Sequence, residues 1–191
     1  ACACDVCSSG DSRDKRLRTS VMVETGGKVI VIDAGPDFRQ QMLRAGVKTL
    51  DALVLTHEHK DHIAGLDDIR AFNYVLKRSV DVYATQRVQD ALRREFAYIF
   101  SDDRYPGIPE INLHTIRSDA PFFIGDVKLE PVEVMHYRLP VLGFRIGDFA
   151  YITDANFISS VQRKKIAGAG VLVLNALRRK KHLAHFTVEE A

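Results

Sequence analysis

Apolar residues fall in short runs separated by glycine, proline and charged turns, which is the rhythm of strands with helices between them. Val21–Glu24 and Val29–Ile32 flank Gly26-Gly27 and read as a hairpin. A turn over Asp33-Ala-Gly-Pro-Asp37 follows, then a helix over Phe38–Ala45 with Asp37 as N-cap and Gly46 as its C′ residue. Asp51-Ala-Leu-Val-Leu-Thr56 has the apolar stretch of a core strand, and Ile63, Leu66, Ile69, Phe72 and Leu76 recur at roughly helical spacing after it. A short strand over Val80–Ala84 and a helix over Gln86–Phe100 precede a segment broken by Pro106, Gly107 and Pro109. The second half is strand-rich. Phe122–Ile124 and Val127–Val134 flank Gly125-Asp126, and Leu142–Ile146 and Phe149–Ile152 flank Gly147-Asp148, giving two more hairpins. Ser159–Ala167 reads as a helix and Val171–Leu174 as a buried strand. Two strand-rich halves with helices between them suit two sheets covered by helices on their outer faces.

Composition narrows the class without changing this outline. With 191 residues, 46% hydrophobic and 27% charged, the chain is expected to form one domain over residues 1–191 with a sizeable core. A net charge of +2 is too small to imply a large phosphate-binding footprint. No run approaches the roughly 20 apolar residues of a membrane span, and no secretory signal is visible, so the cytoplasm is the expected location.

The chemistry is concentrated in Thr56-His-Glu-His-Lys-Asp-His62. It places His57, His59, Asp61 and His62, three of the chain's seven histidines and one carboxylate, between a buried strand and a helix. Solvated turns favour Asn, Gly, Ser and Lys rather than clustered histidine, whereas neutral imidazole and carboxylate suit divalent zinc, manganese or iron. The pattern His57-x-His59-x-Asp61-His62 resembles the signature of the metallo-β-lactamase superfamily. That resemblance implies an αββα sandwich and a paired-metal hydrolase, with His57 and His59 serving one ion and Asp61 and His62 the other. His136, at the end of a strand, would complete the first set, and Asp154 in Tyr151-Ile-Thr-Asp154 would bridge both ions. Asp33, at another strand end, is similar to an aspartate that orients a ligand histidine from behind. Asp61 thereby also joins the expected catalytic machinery, whose nucleophile would be a metal-bridging hydroxide.

Cys2, Cys4 and Cys7 form a second cluster, Cys-x-Cys-x-x-Cys, within a Cys-rich and basic segment over residues 1–18. Three close thiols cannot all pair, and three thiolates need one more donor for a closed zinc site. The cluster resembles the structural zinc site of the phosphonate-pathway (PhnP-like) cyclic phosphodiesterase subgroup. His185, in Lys181-His-Leu-Ala-His185-Phe-Thr, is similar to that subgroup's catalytic histidine and is the expected proton donor to the leaving alcohol, ahead of His182. Arg178–Lys181 beside it can attract an anionic substrate, although single charge runs are usually solvated.

These features together point to a phosphodiesterase acting on small or cyclic phosphodiesters, or a nucleotide-like substrate, with two divalent ions and an additional structural zinc. A transfer-RNA 3′-processing endonuclease is the nearest alternative. Nucleic acid is the less favoured ligand because no Gly- and Pro-rich arm is visible. Thioester, lactone or β-lactam hydrolysis is more distant, a metal-binding scaffold protein is the non-enzymatic alternative, and a homodimer is left open. Thr187-Val-Glu-Glu190 has capping-box spacing, with Phe186 placed for a hydrophobic staple. The expectation is that a helix starts here and that the chain is truncated at both ends, with a last ligand histidine and the fourth donor of the cysteine site beyond Ala191.

Overall fold

A computed structural model describes residues 2–103 and 105–191. Strands β1 (Val21–Thr25), β2 (Lys28–Ile32), β3 (Ala52–Val54), β4 (Val80–Ala84) and β5 (Ile111–Thr115) form one sheet in that order. Strands β6 (Phe122–Ile124), β7 (Val127–His136), β8 (Leu139–Ile146), β9 (Phe149–Ile152) and β10 (Val171–Leu174) form the other, in the order β10-β9-β8-β7-β6. The helices are α1 (Asp5–Ser8), α2 (Phe38–Ala45), α3 (Lys60–Ile63), α4 (Arg70–Leu76), α5 (Gln86–Glu95), α6 (Ala97–Phe100) and α7 (Ser160–Ile166).

Alternation along β2 and β3 explains the layering. Ile30, Ile32, Ala52 and Val54 point between the sheets, where they meet Leu129, Leu142, Phe144 and Tyr151. Val31 and Leu53 point the other way, against Phe38, Met42, Ile63, Leu66 and Phe72 from the helical layer. Strands flanked on both faces read as near-continuous apolar runs, as parallel central strands do. A third cluster, with Val132, Val134, Ile152 and Phe186, packs the outer face of the second sheet. Among the described residues no helix is long and apolar enough to cross a membrane.

Several elements depart from the pattern. The helix expected from Ile63 onward is three pieces: α3, a 3₁₀ turn over Leu66–Ile69, and α4. Gly65 is the break. Its N–H donates to the Ala34 carbonyl at 2.8 Å, and a Cβ there would collide with the Gly35 carbonyl oxygen and the Phe38 Cβ. The turn after β2 therefore presses directly on α3. The 86–100 helix divides at Phe96, whose φ of −121° is not helical. Asp37 stands at the N-cap position of α2 without capping it, because its Oδ2 instead accepts from the Arg18 N–H at 2.7 Å. β5 carries too weak an alternation to be read from sequence. β10 is a strand but not a buried one: Val171, Leu172 and Val173 are 55%, 46% and 42% exposed, and among the described residues the strand lies at the sheet's edge and pairs only with β9. The capping-box hydrogen bonds do form, from Thr187 N to Glu190 Oε2 at 2.9 Å and from Glu190 N to Thr187 Oγ1 at 3.3 Å, around a turn rather than a helix.

Replacing Gly65 by alanine should cost about 2–3 kcal/mol, the scale of overpacking against unyielding backbone. Urea unfolding would measure it, and a cost below about 0.5 kcal/mol would refute the close approach as a constraint.

Candidate metal centre

Every residue of the cluster sits at a strand end or in the turn and short helix that follow one, at one edge of the sandwich. β3 delivers Thr56 and His57, with His59 at the N-cap of α3 and Asp61 and His62 within it. His136 is the last residue of β7, Asp154 follows β9, and Asp33 follows β2. Asp33 and Asp154 both adopt left-handed backbone, with φ of 67° and 52°, a conformation aspartate tolerates better than most residues.

The donor atoms converge in two sets. His57, His59, His136 and Asp154 each offer an atom within 4.8 Å of the others, and so do Asp61, His62 and Asp154. Asp154 belongs to both. His57 Nε2 lies 3.0 Å from His59 Nδ1 and 3.6 Å from Asp154 Oδ2. His62 Nε2 lies 3.0 Å from Asp154 Oδ2 and 3.8 Å from Asp61 Oδ2. Ligand atoms about 2.1 Å from a shared tetrahedral ion stand about 3.4 Å apart, so the spacing fits divalent metal.

The hydrogen bonds behind the imidazoles engage one nitrogen of each and turn the other toward the centre. Asp33, fully buried, can only accept. His62 Nδ1–H donates to its Oδ2 at 2.7 Å. The Thr56 hydroxyl donates to the same carboxylate at 2.9 Å, so the hydroxyl accepts from His57 Nδ1–H at 3.0 Å. His136 Nδ1–H donates to the Ala184 carbonyl at 2.9 Å. Each of these three rings is thus fixed with Nε2 toward the centre, the arrangement metal-ligating histidines require. The sequence plainly marks neither the role of Thr56 nor that of the Ala184 carbonyl; its one sign is the hydroxyl of Thr56 immediately before His57.

Charges set the protonation of the metal-free centre. Burial works against protonation of His62, but its hydrogen bonds to Asp154 and Asp33 outweigh it and raise its pKa to about 10. Burial, reinforced by the His62 charge, lowers His57 to about 2. Burial also pushes against the Asp154 carboxylate, yet the His62 hydrogen bond and charge hold it well below the usual range. His185 stands beside the centre. Its ring is 4.7 Å from that of His136, and its Nδ1 is 3.8 Å from Asp154 Oδ1. Burial lowers its pKa against the opposing pull of Asp154. His182 lies one ring further out, 5.0 Å from His185. Asn175 holds Asp154's neighbour in place, accepting from Ala155 N at 2.8 Å and donating to Ala155 O at 3.0 Å.

The cysteines form a separate, exposed cluster whose three Sγ atoms lie within 4.8 Å of one another. The backbone N–H of Cys7, with help from the neighbouring thiols, lowers the Cys4 pKa to about 7. The two basic stretches are each held by local contacts. Arg13 pairs with Asp11 at 2.5 Å, and Arg178 donates to the carbonyls of Lys180 and Lys181 at 3.0 and 2.8 Å.

Comparison with known proteins agrees with this geometry. The beta-lactamase superfamily domain matches residues 28–191. A crystal structure of a diphosphatase from the PhnP family superposes with a TM-score of 0.90 at 38% identity, covering 99% of this chain and 72% of that one. A Porphyromonas gingivalis protein named octanoyltransferase is 45% identical over all of this chain, which spans only 39% of it. Ribonuclease Z of a Mycobacterium species is 25% identical, with 86% of this chain covering 64% of that protein. The chain thus spans less than two thirds of these two curated relatives.

The two shifted histidines predict how the metal-free protein responds to pH. His62, raised, contributes stability that is complete below its ordinary value of 6.5 and fades as pH climbs toward about 10. His57, lowered, acts oppositely: below 6.5 the unfolded chain takes a proton the native one refuses, so stability drains as pH falls. Melts in chelator should therefore peak near pH 6.5, and a Tm that climbed steadily from pH 7 to 10 would contradict the assigned protonation states.

Proposed function

The chain belongs to the metallo-β-lactamase superfamily, in its PhnP-like subgroup, and from that premise we propose that it is a metal-dependent hydrolase of small phosphodiesters. The observation that carries the reading is the pair of donor sets sharing Asp154. His57, His59, His136 and Asp154 would hold one divalent ion, zinc or manganese, with iron also suited, and Asp61, His62 and Asp154 the other. Such ions supply Lewis acidity and a water acidic enough to react at neutral pH. Asp154 fixes the separation of the two sets, while Asp33, Thr56 and the Ala184 carbonyl keep the three rings aimed. Asp61, with 46% of its side chain exposed, would stand on the solvent side of its set. His185 is the proton donor to the leaving alcohol. A bound phosphodiester adds negative charge beside Asp154 and raises its affinity for that proton.

The cysteine cluster, with Cys4 already inclined to the thiolate, would hold a structural zinc. Unpaired thiols suit a reducing compartment, and the cytoplasm is the proposed location. A second reading is hydrolysis of a diphosphate linkage, favoured by the 38% identity to a PhnP-family diphosphatase over nearly the whole chain. Octanoyl transfer finds no support in this chain, which spans 39% of the protein bearing that name.

Metal-loaded protein should turn over bis(p-nitrophenyl) phosphate, with a diphosphate diester, a precursor transfer RNA, a thioester and a β-lactam as competing substrates. Absence of phosphodiester turnover with both ions bound would sink the proposal. His185→Ala should lower kcat about 10²–10⁴-fold while metal content is retained, and an unchanged kcat would remove it from catalysis. Cys4→Ser should lower bound zinc by one equivalent as read by atomic emission, with no loss of the ions held by the histidines.

A further inference from the structure

Among the described residues four hairpins turn through two residues, and three of them use glycine where the backbone becomes left-handed. Gly26, Gly125 and Gly147 have φ of 55°, 58° and 57°. The fourth, joining β7 to β8, has Tyr137 at the same position with φ of 58°, between the paired residues His136 and Leu139. Glycine is favoured at such positions because a Cβ is strained there. A bulky side chain could repay that strain by burial, but Tyr137 is 45% exposed.

The surroundings hold the strained turn firmly. Asn156 Oδ1 accepts from the Tyr137 N–H at 2.7 Å, and Asn156 N donates to the Met135 carbonyl at 2.8 Å. Asn156 Nδ2 also donates to the Leu183 carbonyl at 3.2 Å, tying the turn to the segment that carries His185. Tyr137 follows His136 directly, and the His136 ring lies 5.2 Å from that of His59 and 4.7 Å from that of His185. The Arg138 guanidinium lies over the Tyr137 ring, 5.1 Å from its centroid. Strain that is over-determined, unrepaid by burial and adjacent to a reactive centre points to use by a ligand.

We infer that Tyr137 is a specificity residue: its ring is the platform on which the planar base of a nucleotide-like substrate stacks while the phosphodiester occupies the metal centre. Aromatic stacking tolerates any base because each has a π-face, and the cation behind the ring adds a charge suited to an anionic ligand. The inference rests on the phosphodiesterase reading.

Its test compares kcat/KM for 2′,3′-cyclic AMP with that for glycerol 1,2-cyclic phosphate, which has no base. In Tyr137→Gly the preference for the nucleotide should fall about tenfold, within the range of one lost base stack, and in Tyr137→Phe it should be kept. Glycine relieves the turn rather than straining it, so the variant should fold with an undiminished Tm. An unchanged preference, or equal losses on both substrates, overturns the platform. If metal-loaded wild type hydrolyses neither ester, the phosphodiesterase reading fails on its own. Equilibrium binding of AMP against inorganic phosphate then decides the platform: Tyr137→Gly must weaken AMP about tenfold more than phosphate, and anything less overturns it.

Discussion

Asp33 is a carboxylate with no solvent exposure, and it is answered by three donors: His62 Nδ1, the Thr56 hydroxyl and the Thr56 N–H. An unpaired charge at that depth would cost several kcal/mol, so the three donors cannot be removed independently of the fold. Because Thr56 passes the constraint on to His57, one carboxylate at the end of β2 sets the orientation of an imidazole in each of the two donor sets. The backbone repeats the connection. Asp33 N donates to the Val54 carbonyl and Ala34 N to that of His62, so the strand that carries Asp33 and the turn that carries the histidines are positioned as one unit. The aim of the donor set and the stability of the fold share the same few bonds there.

The second sheet contributes the other half by a different route. β7 and β9 are neighbours of β8 in the antiparallel part of that sheet, and their ends place His136 and Asp154 at the same edge as the end of β3. The segment before Phe186 then closes over them, since Phe186 N donates to the Ala155 carbonyl and its ring joins the outer cluster with Val134 and Ile152. Burial of one phenylalanine thereby brings His185 to the rim.

Much of this centre was legible in the chain because ligand chemistry is local and strand ends are easily recognised. His57, His59, Asp61 and His62 lie within six positions, and His136 and Asp154 each follow a run of strand-forming residues; the fold brings all six into the two donor sets anticipated for them. What escaped reading depends on contacts distant in sequence. Gly65 interrupts a helical apolar pattern only because the Gly35 carbonyl faces it. Thr56 matters because Asp33 is 23 residues away in sequence and 2.9 Å away in space. Val171–Leu174 has the composition of a core strand, and nothing local reveals that it lies at the sheet's edge with its side chains exposed.

That edge also sets where the sheet can grow. β10 pairs with β9 along one side only, and along the other its peptide groups face outward between apolar side chains, without a charge or proline from Val171 to Leu174 to blunt them. Such a border is a template for strand addition. Among the described residues this border can therefore accept one more strand, from the same polypeptide or from another, on the sheet opposite the one that carries the histidine turn.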